Sequence, residues 1–114
     1  MELMINQIEE LVKSEKPNFV VFEDVQKQQS LAVYKQLAQF QGIVMKLLFD
    51  YDLGFNIVEP SKWRSFSGIK GKKRNEQKQN AIKFIEDKYG ILVPEDEAEA
   101  ICIGEWSCKN ITCN

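Results

Sequence analysis

The side chains of this sequence best placed to do chemistry are three acids, Glu23, Asp96 and Glu99. Glu23 directly follows Phe19-Val20-Val21-Phe22, a continuous apolar run that reads as a strand covered on both faces. Its carboxylate would then stand at the C-terminal end of a strand, where open parallel sheets bind ligands. Asp96 and Glu99 lie three apart near the start of a helix, a spacing that places both on one face. Ordinary explanations exist for each. A glutamate just past a strand is unremarkable, and acids in a first helical turn offset the helix macrodipole. Against the second explanation stand Ala98, Ala100 and Ile101, small or apolar neighbours that suggest a packed face. A carboxylate there needs a partner such as a metal, because desolvating an unpaired charge is costly.

The chain has no histidine. That excludes Ser-His-Asp and Cys-His catalysis and most transition-metal sites. Chemistry must rest on carboxylates, lysines or hydroxyls, and a site built only from carboxylates suits Mg2+ or Mn2+. Charge is also segregated. Between Pro60 and Lys83 stand Lys62, Arg64, Lys70, Lys72, Lys73, Arg74, Lys78 and Lys83 against the single acid Glu76, so a net charge of −2 hides a strongly basic window. Such a stripe attracts a polyanion whatever the overall charge, although a solvated loop and helix face would show the same composition.

The elements that must position these groups follow from periodicity and punctuation. Met4, Ile5, Ile8, Leu11 and Val12 have helical spacing from Glu2 to about Glu15, and Pro17-Asn18 ends that helix. After the first strand, a long helix is expected from near Ser30 to Phe49, with Val33, Leu37, Phe40, Val44, Leu47 and Leu48 on its buried side. Gly42 inside it costs about 1 kcal/mol relative to alanine, which a close contact with a helix or a nucleic-acid backbone would explain, as would drift. Asp52-Leu53-Gly54 turns the chain into a second strand, Phe55 to Val58, stopped by Pro60. A basic loop is expected over 61–75, then a helix from about Glu76 to Tyr89 with Ala81, Ile82, Ile85 and Tyr89 inward, stopped by Gly90. Pro94 opens a last helix, reaching about Trp106, with 106–114 as a tail. Strands alternating with helices imply an α/β layered fold with parallel crossovers. Two short strands do not make a self-sufficient sheet, so either subunits share one or strands belong before Met1.

At 114 residues, 44% hydrophobic and 28% charged, the chain reads as one globular domain. Cys102, Cys108 and Cys113 are odd in number and lack zinc-site spacing, so free thiols are expected. No apolar run approaches the length of a membrane span, and the acidic amphipathic start is unlike a signal peptide. A cytoplasmic protein is the simple expectation.

Phe19-Val20-Val21-Phe22-Glu23, the long helix with Gln41-Gly42, and Asp96-Glu97-Ala98-Glu99-Ala100-Ile101, in this order, resemble the RuvC family of Holliday junction resolvases, in its phage and prophage branch. The resemblance spans the chain from its first helix to Trp106. It implies an RNase H-like layered fold, with helices packed on a mostly parallel sheet. It also implies a metal-dependent, structure-specific endodeoxyribonuclease that uses Mg2+ (or Mn2+) to hydrolyse phosphodiester bonds of branched DNA, working as a homodimer. Glu23 looks like the family's second catalytic acid and metal ligand, and Asp96 and Glu99 look like its final pair, with glutamate where the family has a second aspartate. Lys62, Arg74 and Lys78 resemble basic positions around the scissile phosphate. Lys62, Arg64, Lys70, Lys72, Lys73, Arg74 and Lys78 together form the expected DNA-binding set. Trp63 and Phe66, among them, would either stack on bases at the branch or fill the junction between loop and core.

The family begins with an aspartate-bearing strand followed by antiparallel strands, and nothing here matches them. The expectation is a single nuclease domain over 1–114 that lacks its N-terminal strands and does not cut as it stands. A non-catalytic DNA-binding module and another RNase H-like nuclease are the alternatives.

Overall fold

The computed structural model describes residues 2–25, 30–71 and 73–111. In chain order the elements are α1 (Glu2–Glu15), β1 (Phe19–Glu23), α2 (Leu31–Asp50), β2 (Gly54–Val58), α3 (Pro60–Ser67), α4 (Arg74–Tyr89) and α5 (Glu95–Asn110). They divide into two compact units meeting within β2, one through Asn56 and one from Ile57 onward. Among the described residues no helix is long and apolar enough to cross a membrane.

The first unit is α/β. β1 and β2 form a small parallel two-stranded sheet, with α2 as the intervening helix. Parallel neighbours need such a crossover, because a tight turn cannot bring the chain back in the same direction. Ser30 starts α2 as its N-cap, its hydroxyl accepting the Val33 N–H and so satisfying one of the donors a helix start leaves over. The core is Val12 of α1 with Val44 and Leu48 of α2, surrounded by Ile5, Ile8, Val20, Phe22, Phe40, Tyr51, Leu53 and Phe55. Phe22 and Phe55 stack across the strand pair at 6.0 Å between centroids. Gly54 is required where β2 begins, since a Cβ there would come within 2.9 Å of the Phe19 ring. Tyr51, just past α2, donates a 2.6 Å hydrogen bond to Glu9 of α1, clamping the two helices at one end.

Three expectations for this unit need correction. β1 is half-buried at all five positions, not covered on both faces. Val33 and Leu37, expected inside α2, are exposed, while Val44 and Leu48 are the buried pair. The reason is shared. Helical spacing shows which residues fall on one face, but burial needs a neighbour, and the described elements of this unit cover only the C-terminal half of that face. Nor does close packing account for Gly42, for a Cβ there would meet nothing within 4 Å.

The second unit is helical apart from the end of β2. Val58, Trp63, Ala81, Ile85, Ala98 and Cys102 are its buried apolar residues, with α5 packed against both α3 and α4. The expected basic loop over 61–75 is largely helix. Pro60 occupies the first turn of α3, where its missing N–H is harmless, and Gly68 closes it in the left-handed conformation at φ 72°. Trp63 and Ser67, four apart and both buried, give α3 its inner face. Only residues 68–73 remain as connection. There Gln77 donates to the Gly71 carbonyl at 3.1 Å and Asn80 donates to the Lys70 carbonyl, laying the segment on α4.

α4 begins at Arg74, two residues before the expected start, and ends as expected at left-handed Gly90, whose N–H reaches the Glu86 carbonyl at 2.8 Å. Tyr89 is exposed rather than inward, its hydroxyl donating to Glu105 of α5. Lys88 also reaches Glu105, at 2.8 Å, so one carboxylate joins the end of α4 to α5. Pro94 is the N-cap of α5, not its first helical residue, and α5 runs on to Asn110 through positions expected to be tail.

Candidate functional site

Glu23 is the last residue of β1 and is half-buried. The backbone just beyond it is fixed twice. The Val25 N–H donates to Gln41 Oε1 on α2 at 3.1 Å and to its neighbour Asp24 at 2.9 Å. Gln41, noted in the sequence only as part of a motif, therefore holds the strand exit against the helix. The acid is thereby presented from a defined backbone position, as a residue meant to hold something at a strand end requires.

Asp96 and Glu99 belong to the second unit. Asp96 is exposed in the first turn of α5, between Glu95 and Glu97, where all three acids are favourable at the helix start. Glu99, one turn on, is only 9% exposed and lies on the packed face with Ala98 and Cys102. The two acids therefore sit in different surroundings. Its partner is Arg64 of α3, whose Nη2 is 3.6 Å from Glu99 Oε2. The same guanidinium lies over the Trp63 ring, 5.1 Å from its centroid. The partner required by a buried carboxylate is thus supplied from within the chain. Burial pushes the neighbouring Cys102 thiol up from its ordinary pKa, which marks a core cysteine and not a nucleophile. Cys102 and Cys108 are free thiols, and Cys113 lies outside the described residues.

The basic set divides by position. Lys62, Lys70, Lys73, Arg74 and Lys83 are exposed. Lys78 is half-buried and donates to Glu95 at 3.0 Å, and Arg64 is taken up by Glu99. Lys72 lies outside the described residues. Lys70, Lys73 and Arg74 thus gather at the α3–α4 connection and the first turn of α4. That is an uncomfortable place for cations in a lone helix, because a helix N-terminus already carries partial positive charge. The N-cap Lys73 side chain makes no capping hydrogen bond. Cations beside a helix start can receive phosphate, although the acid Glu76 stands in the same first turn.

Trp63 is fully buried, so it fills the core and does not stack on bases. Phe66 is 47% exposed. With Ser61, Lys62, Ser65, Trp106 and Asn110 it lines an open groove of about 690 Å³ between α3 and α5. A cation and an aromatic ring in one groove suit a single strand, whose phosphates and base faces they can meet. Trp106 and Asn110 fall where the sequence predicts the start and body of a tail, so no local signal marks them as lining residues.

By donor type, the acids suit a hard divalent cation. Their arrangement does not complete such a site, since within either unit no group of three or more described acidic or cysteine residues is gathered closely enough to hold a metal ion. In the second unit the obstacle is specific, for Glu99 faces Arg64. No protein-family model matches the chain, and no curated protein matches it.

Proposed function

We propose that the chain is a RuvC-like, structure-specific endonuclease domain of RNase H-like layering, acting in the cytoplasm on branched DNA as a homodimer with Mg2+ or Mn2+ as cofactor. The observation that carries the DNA part is the exposure of three cations, Lys70 and Lys73 in the α3–α4 connection and Arg74 at the start of α4. Lys62 extends the cationic surface along α3 to the groove that Phe66 lines. These groups bind backbone phosphate, so they position a duplex or branch without reading its sequence. Phosphodiester hydrolysis is the chemistry the metal would supply. Glu23 and Asp96 are the acids assigned to it. Glu23 is presented from a fixed strand exit, and Asp96 stands exposed at a helix start.

The test is cleavage of a synthetic four-way junction in Mg2+ by two forms of the protein. The chain alone is expected not to cut. A form with an aspartate-bearing strand added before Met1 is expected to cut, and in it the acids are then replaced. Glu23→Gln and Asp96→Asn should each abolish cutting while junction binding stays within about twofold, since a surface substitution usually moves a free energy by no more than about 0.5 kcal/mol. Cutting that survives both substitutions removes the acids from the reaction. The second reading, a DNA-binding module without activity, is favoured by the Arg64–Glu99 pair, which neutralises one of the proposed ligands from within the chain. Junction binding with no cutting by either form, in either metal, selects it.

A further inference from the structure

Phe66 of α3 stands between two grooves of the second unit. One, of about 690 Å³, is the groove it lines with Lys62, Trp106 and Asn110. The other, of about 550 Å³, is lined by Phe66 with Tyr89, Gly104, Cys108 and Lys109. On α5 the walls are pairs four residues apart, Trp106 with Asn110 and Gly104 with Cys108. Residues four apart share one stripe of a helix, so the grooves follow two stripes of α5 with the Phe66 ring between them. Each groove joins an aromatic wall to a cation, Trp106 with Lys62 in the first and Tyr89 with Lys109 in the second. Glu105 is the acid lining the second groove, and it is already engaged by Lys88 at 2.8 Å and by the Tyr89 hydroxyl. Those contacts fix the half-exposed Tyr89 ring, over which Lys88 stands 5.7 Å from the centroid. With Lys88 counted, the residues lining each groove carry one net positive charge.

Gly104 is an independent sign of a ligand. Glycine inside a helix is unfavourable, because it loses the most backbone freedom on folding. A Cβ at Gly104 would meet nothing within 4 Å among the described residues, so packing in this unit does not require the glycine. Its missing side chain instead leaves a flat stretch of α5 beside Phe66, where a planar group can lie against the helix. We propose that an unpaired strand of DNA crosses this surface, one base in each groove, with the Phe66 ring between them and Lys62 and Lys109 on the phosphates. The proposal rests on the reading of the protein as a DNA-binding one, and it names the unpaired nucleotides of a branch as what the second unit takes. Cations in both grooves match a ligand whose negative charge repeats along its length. Aromatic faces accept any base, so the surface is indifferent to sequence. A duplex cannot use it, because its base faces are closed by stacking on one another.

The experiment is fluorescence anisotropy of the full chain with a labelled oligothymidylate of roughly 15 nucleotides, within the span one such site covers, and with a labelled duplex. Both are titrated without divalent metal across a salt series, and far-UV circular dichroism checks the fold of each variant. The wild type should bind the oligonucleotide. Phe66→Ala should weaken that binding about tenfold, as loss of an aromatic stacking partner does. The factor should be the same at every salt concentration, since stacking releases no counterions, and duplex binding should stay within about twofold. Gly104→Leu, which fills one groove without changing charge, should also weaken oligonucleotide binding, and Phe66→Trp should keep it. Oligonucleotide affinity unchanged in Phe66→Ala, or reduced equally with the duplex, overturns the stacking surface and leaves the DNA-binding reading standing. So does a wild type that binds duplex and not oligonucleotide. Absence of binding to either DNA overturns both. If Phe66→Ala does not fold, Gly104→Leu decides alone. Weaker oligonucleotide binding than wild type supports the proposal, and equal or tighter binding overturns it.

Discussion

The two units of the chain spend their apolar residues differently. The second unit seals a core in which Trp63, Ala81, Ile85, Ala98 and Cys102 are 0% exposed, taking in Arg64 and leaving Lys62, Lys70, Lys73, Arg74 and Lys83 outside. The first has three buried core residues, while Leu3, Leu31 and Phe49 stand 65–75% exposed on α1 and α2, a degree that in the second unit only Leu92 reaches among the described residues. A large exposed apolar side chain is tolerable singly, but several along two helices leave much of the available hydrophobic stabilisation unused. The lesson is about where substitutions should matter. The second unit carries its stability inside and its binding chemistry outside, so the two can be changed separately. In the first, α2 contributes little to the core as far as Gln39, and the acid-bearing strand end depends on a few contacts near Gln41.

The largest expected effect separates the cores. Trp63→Ala should destabilise the protein by about 3–5 kcal/mol, as removal of a buried aromatic side chain does. Leu37→Ala, on the open half of α2, should cost no more than about 0.5 kcal/mol. Denaturant melts of the two variants check this. A comparable loss in both would mean that α2 is covered along its whole length.

This contrast also shows what the sequence made legible. The start of α2 at Ser30, the stop of α4 at Gly90 and the opening of α5 at Pro94 were readable because caps and breakers act locally. β1 ending in Glu23 was readable for the same reason, a short apolar run closed by a charge. α3 was not. Pro60 suits the end of a strand as well as the start of a helix, and the density of lysine and arginine masks the four-residue spacing of Trp63 and Ser67. The Arg64–Glu99 pair was unreadable because it joins residues 35 positions apart, and each charge alone suggested an external ligand. Burial along α2 was overestimated because periodicity identifies a face without saying what packs on it.

A middle-sized effect concerns the outside of the second unit. Replacing Lys70, Lys73 and Arg74 together with alanine should leave the melting transition nearly unchanged. The same change should flatten the logarithmic salt dependence of junction binding by about 2.7, or about 0.9 for each lost phosphate contact. Fluorescence anisotropy across a salt series reads both the loss and the slope. An unaltered slope would place the phosphates elsewhere.

The smallest effect belongs to the first unit's clamp. The Tyr51 hydroxyl, as hydrogen-bond donor, holds the Glu9 carboxylate below its ordinary pKa of 4.5, with help from Lys13. A depressed folded-state value means that the interaction stabilises the fold above the unfolded carboxylate's range. That contribution is lost as pH falls through the folded value. Tyr51→Phe should therefore lower the melting temperature slightly at pH 6 and by progressively less as pH falls through the lowered Glu9 value. A difference that grows toward low pH would contradict this clamp.

The most direct measurement is the affinity of the intact chain for a four-way DNA junction against a linear duplex of the same sequence, without divalent metal so that no cutting intervenes. A RuvC-like reading predicts tighter binding to the junction, a steep fall with salt, and loss of most of that affinity when Lys70, Lys73 and Arg74 are replaced. Equal affinity for the two DNAs would remove the preference for branched substrates. No measurable binding to either at low salt would contradict a nucleic-acid function for this protein.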